Sequence, residues 1–287
     1  MVYKTAGLQY PGGNMGSWTL DDIPWRNFDR AELDLELVRI VKAASLVEHN
    51  GAAYAHHLCR VFADDPAFQE TARRWGEEEV QHGQALARWA TLADPQFDFT
   101  VAFARFRAGF KVDFDSDRSR RGSRAGEMVA RCVVEIGTSS YYTALREAAT
   151  EPVLQEICRH IAADELRHYR LFYKNLDRVL AREPIGRIAR LRVALGRVAE
   201  SEDDELAYAY HAANDDGQPY DRRRCSLAYA RCAYPLYRPH HVERGMAMLL
   251  KAVGLTPNGR LGLLASRLAW LVMRHRAARL QKMPRTA

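Results

Sequence analysis

The stretch ICRHIAADELRH, residues 157–168, decides how this chain is read. Cys158, Ile161, Glu165 and His168 recur at intervals of three and four, continued by Leu154 on one side and Phe172, Leu176 and Val179 on the other. That period lays them along one face of an α-helix. The face is apolar except for one carboxylate and, three residues later, one imidazole. An ionised Glu buried without a partner costs several kcal/mol, so a Glu on such a face is protonated, ion-paired or bound to a cation.

Outward from that stretch the pattern repeats. A second stripe runs through Phe68, Ala72, Trp75, Glu79, His82, Leu86 and Trp89, and contains GEEEVQHG, residues 76–83. A third runs through Met128, Cys132, Glu135, Thr138, Tyr142, Leu145 and Ala149. The first in chain order, Leu37, Val41, Ala44, Glu48, Gly51, Ala55, Leu58 and Phe62, predicts one continuous helix face. Each stripe holds a Glu, and two hold a His three positions on. Glu79 follows Glu48 by 31 residues and Glu165 follows Glu135 by 30, while the two halves are offset by 87 and 86. A helix pair is therefore duplicated. Short links near Asp64–Pro66 and Glu151–Pro152 make the paired helices antiparallel neighbours. The link between the halves, about 94–126, includes DFDSDRSRRGSR and is long enough to run the length of a bundle.

Composition agrees. With 287 residues, 47% hydrophobic and 27% charged, the chain has the profile of a globular protein and excludes disorder and collagen-like repeats. Prolines bound long proline-free segments and strand alternation is nearly absent, so the expected fold class is all-α. The five cysteines form no CxxC pair, which fits reduced thiols and a cytoplasmic setting. The N-terminus has neither the apolar core of a secretory signal nor the Arg-rich pattern of a transit peptide. No stretch reaches the ~18 apolar residues that span a bilayer. Three regions are expected: an irregular arm over 1–29, a four-helix bundle over 30–182, and a helical extension packed on it over 183–287.

An antiparallel four-helix bundle with one Glu from each of two helices and Glu-x-x-His from each of the others is the di-iron or di-manganese carboxylate arrangement. The expected metal ligands are Glu48, Glu79, His82, Glu135, Glu165 and His168. Four carboxylates balance two divalent ions, which makes the cluster tolerable in a core, and one imidazole per ion leaves positions open to O2. Two iron ions are the expected cofactor, with manganese as a substitute.

The two Glu-x-x-His stretches, with the AADELRH string the more specific, resemble the metal-binding motifs of the soluble acyl-acyl-carrier-protein desaturases, within the ferritin-like di-iron superfamily. The resemblance covers about 30–182 and thins after Leu180. It implies that Glu79 and Glu165 bridge the metals and that Glu48 and Glu135 are terminal. It also implies a role beside the oxygen-binding side for Thr138, in Glu135-Ile-Gly-Thr138, and makes Glu78 and Asp164 acceptors for the metal-bound histidines. The implied activity is O2-dependent attack on an unactivated C–H bond of a fatty-acyl or lipid-like substrate, giving an alkene or an alcohol. The implied partners are a ferredoxin-like electron donor and an acyl chain on acyl carrier protein or in a lipid. Alternatives on the same bundle are a ferroxidase or rubrerythrin-like peroxidase, an N-oxygenase, and a non-enzymatic metal-binding scaffold. An N-oxygenase would place a third His one turn before Glu165, where Ile161 stands; His160 is off that position.

Other features read more plainly. Trp75, Trp89 and the Tyr-rich stretch from Tyr208 to Tyr237 are packing residues. The basic excess, 42 Lys and Arg against 36 Asp and Glu, suits an acidic protein or an anionic lipid surface. No nucleic-acid motif accompanies it. The segment GRLGLLASRLAWLVMRHRAARLQK is a basic amphipathic helix that either packs on the bundle or makes peripheral contact with a membrane or acidic partner. A homodimer is compatible with the composition.

Overall fold

The computed structural model describes residues 18–110, 114–200, 204–214, 217–257 and 259–282. The first 17 residues of the arm, Asp113 of the central link, and Asp215 and Asp216 lie outside them. Among the described residues the structure is an all-α bundle with no strand.

Helix α1 (Leu35–His49) starts at Asp34, whose carboxylate accepts the Glu36 and Leu37 amides. Helix α2 (Gly51–Val61) follows after one residue, and α3 (Pro66–Ala93) begins with Asp65 as its cap and Pro66 in its first turn. Proline is well placed there because the first amides of a helix have no partner within it. After α4 (Phe99–Gly109), the second half repeats the arrangement with α5 (Arg124–Ala148), capped by Ser123, and α6 (Pro152–Leu180), capped by Glu151. The short links fall where the sequence places them, and α5 and α6 form the most extensive pairing in the fold.

Two features depart from the sequence reading. The first stripe is not one helix, because the chain breaks at Asn50 between α1 and α2. A Cβ at Gly51 would lie 2.2 Å from Glu79 Cβ, and one at Gly83 would lie 2.5 Å from the His49 amide nitrogen. The glycines bring α1 and α2 against α3 at the level of the site. The central link also contains α4, whose Ala102 and Phe106 are buried.

The arm, where described, makes short 3-10 turns at Leu20–Asp22, Trp25–Asn27 and Arg30–Glu32. Beyond the bundle come α7 (Arg187–Glu200), α8 (Asp204–Asn214), α9 (Arg222–Ala233), α10 (Pro239–Ala252) and α11 (Arg260–Lys282). Of these, α7 and α10 lie against α5, and α8 lies against α1. The tyrosines of α8 and α9 pack as expected: Tyr208, Tyr210 and Tyr229 lean on the core. All five cysteines are free thiols. No helix among the described residues is long and apolar enough to cross a membrane.

The core is divided. One apolar cluster gathers Ile40, Leu46, Leu86, Trp89, Leu145, Leu154 and Ile161; the other gathers Leu58, Phe68, Trp75, Met128, Cys132, Phe172 and Leu176. Along every stripe the Glu falls where one cluster gives way to the other. Hydrophobic burial above and below thus fixes a polar layer at mid-bundle.

Candidate metal centre

The polar layer contains all six expected ligands. Glu48 comes from α1, Glu79 and His82 from α3, Glu135 from α5, and Glu165 and His168 from α6, none more than 6% exposed. They form two groups, Glu48, Glu79, His82 and Glu165, and Glu79, Glu135, Glu165 and His168, each offering ligand atoms within 4.8 Å of one another. Glu79 and Glu165 belong to both groups. His82 Nδ1 lies 3.3 Å from Glu165 Oε1, 3.8 Å from Glu48 Oε2 and 3.9 Å from Glu79 Oε2. His168 Nδ1 lies 3.0 Å from Glu79 Oε1, 3.6 Å from Glu135 Oε2 and 3.9 Å from Glu165 Oε2.

The outward nitrogens are held crosswise. His82 Nε2, on α3, is 3.1 Å from Asp164 Oδ2 on α6, and His168 Nε2, on α6, is 2.6 Å from Glu78 Oε2 on α3. Arg167 bonds both acceptors, with Nη2 2.6 Å from Glu78. In the neutral ring a proton on Nε2 leaves the Nδ1 lone pair facing the carboxylates, the orientation a metal-bound histidine requires.

Other side chains fix the carboxylates. Tyr142 Oη donates to Glu48 Oε1 at 2.6 Å, and Thr138 Oγ1 lies 2.6 Å from Glu165 Oε2. The Thr138 hydroxyl also lies 3.2 Å from the Val134 carbonyl oxygen and 3.3 Å from that of Glu135. Trp18 Nε1 donates to Asp164 Oδ2 at 2.7 Å, and the Trp18 ring stacks on both His82 and His160. His160 itself pairs with Glu156 at 3.2 Å and belongs to neither ligand group.

Burial and mutual proximity shift the titration of these groups in opposite directions. Burial and the neighbouring Glu165 charge push the Glu135 carboxyl up to about 8, and burial with Glu165 and Glu48 raises Glu79 well above the carboxylate range. Burial opposes charge on both histidines, yet the surrounding carboxylates win and raise each well above its ordinary value. Glu165 is lowered, because His82 and His168 outweigh its burial. Asp164 is drawn down to about 2 against its burial by His82, Arg167 and Trp18.

The donor set fits two divalent ions. His82 Nδ1, His168 Nδ1, Glu79 Oε1, Glu165 Oε1 and both Glu135 oxygens are buried without a well-aligned hydrogen bond, close as they lie to one another. Buried polar atoms are rarely left so, and a cluster of six at one point is what bound cations would satisfy.

Tyr142, Arg167 and Trp18 were not singled out as site residues by the sequence. Tyr142 follows Glu135 by seven positions, so the helical spacing pointed to it; Trp18 lies 146 residues from Asp164 and had no local signal.

An all-α bundle with a buried carboxylate and histidine layer at its centre is an arrangement whose residues could hold metal ions. A family model described as fatty acid desaturase matches residues 52–198, just over half of the chain, and the chain belongs to that family. Membership makes it an enzyme of lipid desaturation or oxygenation. No curated protein matches the chain.

Proposed function

We propose that the chain is a di-iron, O2-dependent oxidoreductase that attacks an unactivated C–H bond of a fatty-acyl substrate, with desaturation the favoured outcome and hydroxylation the alternative. The observation that carries this reading is the mid-bundle layer of six buried ligand atoms without well-aligned hydrogen bonds, with each histidine anchored through its outward Nε2. On this reading residues 30–182 carry the chemistry and residues 183–287 form an extension laid against them.

Glu48 and His82 would hold one iron, Glu135 and His168 the other, and Glu79 and Glu165 would be shared. Bound iron supplies the reduction of O2 with two electrons from an external donor. For desaturation the balance is one CH2–CH2 unit, O2, two electrons and two protons giving one CH=CH unit and two waters.

The chain's own residues account for the rest. Asp164 and Glu78 hold the imidazoles with Nδ1 inward. Tyr142 holds Glu48 in one orientation through its 2.6 Å hydrogen bond. Thr138 Oγ1 keeps a proton at the edge of the cluster, between Glu165 Oε2 and its own helix carbonyls. The apolar clusters on either side exclude bulk water, which protects an oxidising centre from side reactions. A ferredoxin-like donor and an acyl chain on a carrier protein or lipid are the partners that suit this chemistry.

The position of His160, stacked on Trp18 rather than among the carboxylates, weighs against the N-oxygenase reading. Aerobic turnover of a long-chain acyl thioester with a reductase system, followed by mass spectrometry, tests the proposal. Loss of two hydrogens supports desaturation and gain of one oxygen supports hydroxylation. Neither product across a range of acyl substrates overturns it.

A further inference from the structure

The basic excess of this chain is confined to one end. Residues 222–287 contain 14 Lys and Arg against one acid, Glu243, whereas residues 1–221 contain 28 against 35. The molecule is therefore an acidic body joined to a strongly basic tail segment. Within that segment α11 has no Asp or Glu at all.

Helix α11 has two apolar stripes, and among the described residues only one is used for packing. Gly262 and Ser266 are buried, and Ala269, Met273, Ala277 and Leu280 are half-buried, stepping by four and three along one side. This side faces α9, α10 and the Tyr234–Leu236 turn. Its fit is close: a Cβ at Gly262 would lie 3.0 Å from Leu250 Cδ1 on α10. On the opposite side Leu264, Leu268, Leu271 and Val272 also step at helical spacing, and each is about half exposed, from 49% to 59%. Arg267 and Arg274 flank this outer stripe on one edge and Arg279 lies beside it further along, all exposed.

We propose that the outer face of α11 docks the protein on an anionic lipid bilayer, with the helix axis parallel to the surface. Aliphatic side chains in a line with cations at their edges match the acyl and phosphate layers of a membrane: the leucines enter the boundary while the arginine stems lie along it and their heads reach the phosphates. The charge decides against pairing of this face with its own copy, because two such faces would bring together two arrays of Arg with no acid between them. A flat row of four aliphatics over about 12 Å also fits a fluid lipid surface better than a shaped protein pocket. This inference rests on α11 alone and stands apart from the metal centre.

The test is co-sedimentation of the full-length protein with vesicles of phosphatidylglycerol and phosphatidylcholine, and with phosphatidylcholine alone, at about 0.15 M salt. Binding to the anionic vesicles at least tenfold tighter than to the neutral ones is expected. Leu264→Asp with Leu268→Asp should weaken binding at least tenfold with unchanged helicity, and Arg267→Glu with Arg274→Glu should do the same. Val101→Asp, at an exposed apolar position on α4, should bind as the parent does. If the parent chain stays in the supernatant with anionic vesicles, or if the Leu and Arg variants sediment like it, the proposal fails. It also fails if sedimentation velocity shows a dimer that the Leu variants convert to monomer, because the face would then belong to a second copy.

Discussion

Asp164 Oδ2 lies 3.1 Å from His82 Nε2, on the side of the ring away from the carboxylate cluster. The bond crosses from α6 to α3, and the one between Glu78 and His168 crosses back, so each histidine is oriented by the opposing Glu-x-x-His helix. Register between α3 and α6 is thereby tied to the direction in which both Nδ1 lone pairs point. Replacing Asp164 with Asn keeps the shape but removes the charge. Asp164→Asn should weaken iron binding by ~10- to 100-fold while leaving helicity intact. Competition with a chelator of known affinity measures this, and unchanged affinity would remove Asp164 from the account.

Gly51 and Gly137 make opposite predictions from the same substitution. A Cβ at Gly51 collides with Glu79 Cβ at 2.2 Å, whereas one at Gly137 meets nothing within 4 Å. Gly51→Ala should destabilise by about 1–3 kcal/mol and lower iron content, since α2 or α3 must move. Gly137→Ala, on the exposed side of α5, should stabilise by about 0.5–1 kcal/mol. Thermal melts of the two variants beside the parent decide both.

Thr138 Oγ1 lies 2.6 Å from Glu165 Oε2 and is also within reach of two carbonyls of its own helix. Thr138→Val should retain full iron content but form several-fold less product per O2 consumed. An oxygen electrode read alongside product analysis separates this from simple loss of metal, which would give low iron and low O2 uptake together.

Stability should fall in acid through a pair remote from the metal layer. Lys42 is 8% exposed, and its ammonium bonds Asp94 at the end of α3. That bond foremost, opposed by burial and aided by the Gln96 amide, holds Asp94 below the usual carboxylate range. A depressed folded-state value means the contribution is complete above the unfolded value of ~3.9 and is lost as pH falls through the folded one. Asp94→Asn should cost about 1 kcal/mol near neutral pH, allowing for solvent around Asp94, and should flatten the drop in melting temperature below about pH 4. An equal acid-induced drop in parent and variant would show that the pair contributes nothing.

The bundle and its six polar positions were legible because a buried charge at helical spacing violates the rule that apolar stripes follow, and four violations in register have few explanations. The break at Asn50 was hidden because Glu48, Gly51 and Ala55 keep facing α3 on both sides of it, so the stepping continues while the helix does not. Helix α4 was concealed in a link rich in charge and turn residues. Trp18 could not be seen, since its contact with Asp164 joins distant parts of the chain and follows no period. The crossed pairing of Asp164 with His82 and Glu78 with His168 likewise depends on how α3 and α6 are set together.

A layer of six ligands with two shared carboxylates implies a fixed iron stoichiometry. The protein should be loaded anaerobically with ferrous iron, freed of excess by gel filtration and analysed for metal per chain. Two irons are expected for the parent chain and fewer than one for Glu79→Gln and Glu165→Gln, because each of these carboxylates belongs to both groups. A parent chain that takes up no more than one iron, or variants that still take up two, would contradict the two-iron reading.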